Sequence, residues 1–242
     1  MKFAVVGGTG LIGSQVVSDL NAAGHEAVPH SQSSGVDVIS GEGLDEAVAG
    51  ADVIVNLTNS PTFDEASPAF FRVSMDNLLA AGQGSGVRHF VILSIVGVDR
   101  VPELDYYRAK ALQEDILAAG PIPYSIVRAT QFMEFVDAVM SWTTDGDTVR
   151  LPATPIQPIA ARDVAEAVAE VAAGAPLGGI RNIAGPEVFA LDELGRVTLS
   201  HRADGGTVVT DPTAGMFAVV KGDVLTDTDA RLAPTRYADW LS

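Results

Sequence analysis

The stretch Asp105-Tyr106-Tyr107-Arg108-Ala109-Lys110 places two tyrosines just ahead of a lysine, in a 242-residue chain that holds only four tyrosines and three lysines. A free phenol, with a pKa of about 10, is a poor proton donor or acceptor near neutrality. An ammonium ~4 Å away in an effective dielectric of ~20 would favour the phenolate by about 4 kcal/mol. At about 1.4 kcal/mol per pKa unit, the shift is at most about three units. That brings a tyrosine toward the range useful for general acid–base work. On a helix Lys110 neighbours both Tyr106, at i,i+4, and Tyr107, at i,i+3, so spacing alone does not choose between them. Such chemistry also needs a group to hold the substrate oxygen. Ser94, at the end of the apolar run VRHFVILS, is the candidate.

A second stretch, GGTGLIG at 7–13, spaces Gly7, Gly10 and Gly13 three apart. In a chain with 24 glycines the triplet alone is weak; its position between a strand and a helix is the stronger signal. There, backbone amides of Gly7, Thr9, Gly10, Leu11, Ile12 and Gly13 can approach a pyrophosphate, and the helix N-terminus favours its charge. Gly7 would make the turn, Gly10 would permit close approach, and Gly13 would let the helix pack on the strand. A carboxylate about 20 residues on usually selects NAD by bonding the ribose 2′-hydroxyl. The region reads VPHSQSS here, with none. Ser31, Gln32, Ser33 and Ser34 can donate to a 2′-phosphate, but no Arg or Lys clamps it. NADP is the expected cofactor, with NAD possible. His30 is either an adenine neighbour or a structural residue.

These motifs need a scaffold. Hydrophobic residues make up 47% of the chain and charged residues 19%, enough for a sizeable core. The absence of cysteine excludes disulfides, thiolate metal sites and a cysteine nucleophile. His25, His30, His89 and His201 have no metal-ligand spacing. Net charge is −16 with no basic block, which argues against a nucleic-acid partner. The apolar run of MKFAVVGGTG is too short for a signal peptide or a membrane span, so a soluble, cytoplasmic protein with a small-molecule substrate is expected.

Strands are predicted at Lys2–Val6, Glu26–His30, Val36–Ile39, Asp52–Leu57, Val87–Ser94 and Tyr124–Arg128. Between them, helices are expected at Leu11–Ala23, Leu44–Val48, from Ser67 to about Gly82 with Ser67 as cap and Pro68 in the first turn, and at Tyr106–Ala119. Alternation of this kind implies an α/β, Rossmann-like, doubly wound parallel sheet. The whole chain reads as a single domain, whose less regular part from roughly 131 to 242 forms a small C-terminal substrate-side subdomain. In that part, helices are expected at Gln131–Trp142, Ala161–Ala173, Leu191–His201 and Arg236–Leu241, with extended segments at Thr148–Leu151, Ile180–Ala184 and Thr207–Thr210. Arg162 and Asp163 open a helix whose start could support a cofactor cleft, and Met140 and Trp142 could wall a pocket or simply pack.

With these motifs in place, the chain resembles an atypical short-chain dehydrogenase/reductase of the NmrA-like NAD(P)-binding type. The resemblance rests on GGTGLIG, NLTNS (56–60) after the fourth predicted strand, LSIVG (93–97) after the fifth, YYRAK (106–110) and VRATQF (127–132) after the sixth. It covers nearly the whole chain, more loosely after about 160. It implies that Ser94 binds a substrate carbonyl, that Tyr106 is the proton donor, and that Lys110 holds the nicotinamide ribose. Thr58 and Asn59 would line the cofactor, and Ala129, Thr130 and Phe132 would lie near the nicotinamide. The implied activity is NAD(P)H-dependent hydride transfer to or from a carbonyl, quinone or conjugated enone. Some relatives bind the dinucleotide only as redox sensors and typically lose the tyrosine; an isomerase or epimerase is a further alternative. Tyrosine, lysine and serine are all present here, which favours catalysis.

Overall fold

The computed structural model describes residues 1–202 and 205–242. In chain order the elements are β1 (Lys2–Val6), α1 (Leu11–Ala22), β2 (Glu26–His30), α2 (Leu44–Val48), β3 (Val53–Asn56), α3 (Ser67–Gly84), β4 (His89–Ile95), α4 (Asp105–Ala119) and β5 (Tyr124–Ala129). There follow α5 (Val136–Ser141), β6 (Thr144–Asp145), β7 (Thr148–Leu151), β8 (Pro155–Ile156), α6 (Ala161–Ala173), β9 (Gly179–Ala184), β10 (Phe189–Ala190), α7 (Leu191–Arg202), β11 (Thr207–Thr210), β12 (Arg231–Leu232) and α8 (Tyr237–Leu241). The main sheet has seven strands in the order β12-β9-β5-β4-β3-β1-β2. Parallel registers such as Val6↔His30 and Val6↔Asn56 bring the C-terminal ends of β1, β2 and β3 into line. This is the Rossmann-like doubly wound arrangement, in which ligands bind beyond the carboxyl ends of the strands.

The chain forms two compact units. The first comprises 1–128 and 164–181, the second 129–163 and 182–242. The division does not fall at a single point near 131, because most of α6 returns to the first unit.

In the first unit, side-chain alternation along the strands sorts residues by face. Ala4 and Val6 of β1, Ile54 of β3, Phe90 and Ile92 of β4, and Ile126 of β5 share one buried cluster. Met75 and Leu78 of α3 and Leu117 of α4 pack with them. Burying each large apolar side chain here is worth about 1.5–3 kcal/mol. By the same alternation, Asn56 and Ser94 continue the row beyond Ile54 and Ile92. Two polar groups thus end an apolar face.

Three predicted elements differ. Val36–Ile39 is a turn, not a strand: the Asp37 carboxylate accepts the amides of Ile39 (2.7 Å) and Ser40 (3.3 Å), curling the chain. The strands bearing NLTNS, LSIVG and VRATQF are therefore the third, fourth and fifth. Ser67 is not a helix cap. Ala66 occupies that position, while Ser67 Oγ donates to the Thr62 carbonyl at 2.7 Å. Within the second unit Gln131–Trp142 is not one helix. Ile159 pairs with this stretch, accepting the Met133 amide (2.9 Å) and donating to the Gln131 carbonyl (3.0 Å), and this holds 131–132 extended. A 3-10 turn at Met133–Phe135 precedes the short α5. The second unit also carries a three-stranded sheet in the order β11-β7-β6 and a two-stranded one, β10-β8. Glu134 stands at the start of α6, where both carboxylate oxygens accept the Ala161 amide (3.1 and 3.0 Å).

Candidate active site

The glycine loop is shaped by contacts that exclude side chains. Gly7 has a φ of +80°, and a Cβ there would lie 2.8 Å from the Leu57 carbonyl. A Cβ on Gly13 would meet Gly7 O at 2.2 Å, so Gly13 packs against the loop itself and not against the strand as expected. Gly8, outside the triplet, is equally constrained, with Val5 O at 2.6 Å and Pro29 Cα at 2.7 Å. The His30 carbonyl pins the turn by accepting the amides of Gly7 (2.8 Å) and Gly8 (3.2 Å).

Gly10 behaves differently. Its backbone is extended, and an added Cβ would meet only Gly7 O, at 3.4 Å. Packing within the protein does not require glycine at this position. Thr9, Gly10 and Leu11 are exposed, Ile12 is buried, and no side chain caps α1 or puts an acid in its first turn. The Gly10 amide donates to Gly7 O at 3.1 Å. The exposed stretch 9–11 leads into a helix N-terminus with no acid in its first turn, a setting that suits a pyrophosphate.

At the end of β2, Ser31 to Ser34 form a turn whose hydroxyls bond one another. Ser31 Oγ lies 2.8 Å from Ser33 Oγ, and Ser34 Oγ donates to the Ser31 carbonyl at 2.9 Å. The Gln32 amide donates to Asp37 at 3.4 Å. This carboxylate lies beyond the stretch read for cofactor choice. It brings an anion beside the turn that the sequence suggested was free of one. Its own acidity is strengthened by the Ile39 and Ser40 amides. His30 is half-buried with Nε2 making no hydrogen bond among the described residues, and burial lowers its pKa, with a smaller contribution from Lys2.

At the end of β3, Asn56 is buried and its Oδ1 accepts both the Thr58 amide (3.0 Å) and the Thr58 hydroxyl (2.7 Å). This turns NLTNS so that exposed Asn59 reaches α4 and accepts a hydrogen bond from the Tyr106 hydroxyl. The Tyr106 ring lies between Phe63 (4.8 Å between centroids) and Phe71 (6.1 Å).

One turn later on α4, Lys110 is 5% exposed. Its ammonium donates to the Leu93 carbonyl at 2.6 Å and to Gln113 Oε1, and sits 5.0 Å from the centre of the Phe71 ring. Leu93 immediately precedes Ser94, whose Oγ is buried and makes no hydrogen bond among the described residues. Burial pushes Lys110 down to about 8, with Glu114 partly offsetting the shift. Burial pushes the Tyr106 phenol up to about 12, the Asn59 bond offsetting part of it. The expected lowering of Tyr106 by Lys110 is therefore not what this arrangement produces. The two head groups have separate partners, and desolvation acts on each toward its neutral form. Tyr107 is buried at 3% exposure, while Tyr106 is half-buried beside Asn59.

The sequence missed several supporting groups. Gln113 is fully buried between Lys110 and Met75, whose sulfur also receives Asn56 Nδ2 at 3.4 Å. Glu114 pairs with Arg128 through two contacts, 2.9 and 2.6 Å. The sequence shows Glu114 four residues after Lys110, but not that it is buried or paired with Arg128.

Ala129, Thr130 and Phe132 belong to the second unit. Ala129 is buried at the end of β5, and the Thr130 amide donates to the Ile183 carbonyl at 3.1 Å. Thr130 Oγ1 accepts from Gly185 at 3.4 Å, and Phe132 bridges to Ile159. Asp163, at the start of α6, accepts from the Thr235 amide at 3.2 Å and from its hydroxyl at 3.1 Å, which anchors the C-terminal segment. Among the described residues no cluster of three metal-ligating side chains occurs, and no helix is long and apolar enough to cross a membrane.

Known proteins resemble the chain in sequence and in fold. A (4-alkanoyl-5-oxo-2,5-dihydrofuran-3-yl)methyl phosphate reductase of Streptomyces griseus subsp. griseus is 29% identical over 208 residues, 78% of this chain and 70% of that protein. An NADPH-dependent quinone oxidoreductase of Escherichia coli, solved with NADPH, superposes with a TM-score of 0.68 at 20% identity, covering 87% of this chain and 78% of that one. A short-chain dehydrogenase/reductase superfamily protein of Agrobacterium tumefaciens, solved with NAD, gives a TM-score of 0.70 at 17% identity, covering 87% and 85%. Both structures share the fold. The NAD(P)H-binding family model matches residues 7–174, from the glycine loop to the end of α6, and the chain belongs to that NAD(P)H-binding family.

Proposed function

We propose that this protein is an NADPH-dependent reductase of a conjugated carbonyl compound, a quinone or an enone, acting through Ser94, Tyr106 and Lys110. One observation carries the reading. The buried Lys110 ammonium is tied to the carbonyl of Leu93, next to a buried serine hydroxyl with no partner among the described residues, on a strand end where such folds bind ligands. A solitary buried hydroxyl forgoes about 1–3 kcal/mol of hydrogen bonding, which a substrate oxygen would restore. The curated reductase relative is named for a substrate with a ring carbonyl conjugated to a double bond, which supports the same class.

In this reading the exposed backbone at 9–11 and the N-terminus of α1 hold the pyrophosphate, and Ser31 to Ser34 face the adenosine ribose. When bound, the nicotinamide supplies the hydride. Ser94 donates to the substrate oxygen and fixes its place. The phenol, raised to about 12, is protonated at neutral pH and gives its proton to the oxygen that gains charge. Lys110, charged below about 8, provides a donor to the cofactor ribose. Solvent then returns the proton to Tyr106.

Quinones, enones and simple ketones incubated with enzyme and NADPH, followed by NADPH absorbance, test the proposal. Turnover of conjugated carbonyls above simple ketones is expected. NADPH binding without turnover across the panel would favour a sensor role.

A further inference from the structure

We propose that Asn59 is a positioning residue for the Tyr106 phenol: its side-chain amide orients the hydroxyl and pairs with it in both protonation states. The inference rests on the reductase reading for its use, but its physical content is separable from turnover.

The sequence assigns Asn59 only a place lining the cofactor. The structure gives its side chain a different partner, since the Tyr106 hydroxyl donates to Asn59 Oδ1. An amide carries an acceptor and two donors on one planar group. Against the phenol, Oδ1 accepts the proton. Once that proton has gone to the substrate, rotation of the amide presents Nδ2 as a donor to the phenolate. A carboxylate has no donor to offer, and an aliphatic side chain has neither group.

The surrounding loop is built to hold this amide in place. Thr58 is fixed to Asn56 through both its amide and its hydroxyl. On the other side, buried Ser67 donates to the Thr62 carbonyl and lies 3.0 Å from buried Ser60 Oγ. Phe63 then covers one edge of the Tyr106 ring and Phe71 another, so the ring has little freedom except about the axis that carries its hydroxyl. Three nearby charged groups are engaged with other partners. Asp64 accepts from Thr62 and Ala66, Asp105 is paired with Arg108, and Lys110 is tied to Leu93 and Gln113. Asn59 is thus the side chain that meets the phenolic oxygen.

The test replaces Tyr106 by fluorotyrosine, whose more acidic phenol titrates while the fold is intact, and follows the fluorine resonance with pH. The Asn59→Asp protein should show its midpoint raised by roughly one unit or more, because a carboxylate opposes phenolate formation. The Asn59→Ala protein should show a changed midpoint together with ring reorientation. In the unlabelled enzyme, Asn59→Ala should lower kcat roughly tenfold or more while NADPH affinity stays within twofold. Asn59→Asp should shift the alkaline limb of the kcat profile upward. Identical fluorine midpoints in all three proteins overturn the proposal. So does weakened NADPH binding with an unchanged phenol titration, which would make Asn59 a cofactor residue. If the resonance responds as expected while no substrate turns over, the positioning role stands and the reductase reading is what fails.

Discussion

Tyr106 and Lys110 lie one helical turn apart on α4, yet their head groups answer to different neighbours: the phenol to Asn59 and the ammonium to the Leu93 carbonyl. The ring of Phe71 touches both, lying 6.1 Å from the Tyr106 ring and 5.0 Å from the ammonium. A spacing that suggests direct electrostatic coupling is used here to bring two separately held groups to one end of the sheet. Their division of labour sets the first expectation.

Removing only the phenolic oxygen should abolish acid catalysis and leave the cofactor cradle intact. The Tyr106→Phe enzyme is expected to keep its NADPH affinity and lose roughly 10²–10⁴-fold in kcat, the usual span for a general acid. Tyr107 is buried while Tyr106 is the tyrosine bonded to Asn59, so Tyr107→Phe should cost less than tenfold. Steady-state kinetics with the best substrate of the panel, alongside calorimetric NADPH titration, decides the matter; a dead Tyr107→Phe enzyme would reverse the choice of tyrosine.

Lys110 makes stability depend on pH in an unusual direction. Its folded pKa of about 8 lies below the ordinary value of 10.5, so between these limits the unfolded chain binds the extra proton. Its contribution to stability therefore rises as pH climbs from about 8 to about 10.5, and the penalty for burying the charge is fully present below 8. At about 1.4 kcal/mol per unit, the change is at most about 3.5 kcal/mol. Denaturant midpoints measured across that window should rise more in the wild type than in Lys110→Met. Parallel curves for the two proteins would show that the ammonium is not held out of solvent.

The two glycines at the start of α1 should respond oppositely to the smallest substitution. Gly10→Ala adds a methyl that meets only one atom of the protein, at 3.4 Å, so the fold should tolerate it while NADP(H) affinity falls tenfold or more. Gly13→Ala drives a methyl to within 2.2 Å of Gly7 O and should distort the loop, lowering the melting temperature as well as binding. Paired melting and calorimetry check both. Unchanged NADP(H) affinity in Gly10→Ala would move the pyrophosphate elsewhere.

How far the sequence was legible depends on the range of the interaction. Strand–helix alternation and the glycine turn are written locally, so the first unit's elements emerged within a residue or two, apart from 36–39. There a short apolar run looked like a strand, but one carboxylate, accepting the amide two residues on, decided the backbone. The row Ile92–Ser94 was readable from alternation, whereas the Asn59–Tyr106 bond spans 47 residues and left no local trace. Gln131–Trp142 had helical periodicity, and its break comes from pairing with Ile159, which periodicity cannot register.

Asp37 bears on cofactor choice. Its carboxylate holds Gln32, one of the side chains expected to face a 2′-phosphate. A carboxylate beside this turn opposes a 2′-phosphate, though solvent and salt screen the repulsion at an exposed site. Asp37→Asn should therefore raise NADP(H) affinity severalfold and change NAD(H) affinity little, because only the former brings added negative charge. Side-by-side titrations of both cofactors read the outcome, and equal gains for the two would place the 2′-position away from this turn.

His89 gives the acid side of the stability profile. It is buried on β4 with Nε2 2.8 Å from Ser125 Oγ, and the same oxygen accepts the Leu177 amide at 2.9 Å, joining β4, β5 and the segment after α6. Burial lowers its pKa below 6.5, a smaller hydrogen bond to the Ala172 backbone opposing the shift. The unfolded chain therefore takes up the proton first as the medium is acidified. His89's contribution is fully present above pH 6.5 and is lost as the pH falls from there through the folded value. Half-buried His30 is shifted in the same direction, so the informative quantity is the difference between wild type and His89→Gln. That difference should shrink steadily below pH 6.5 in denaturant titrations. A difference independent of pH between 7 and 5 would mean that His89 contributes by packing alone and carries no linked proton.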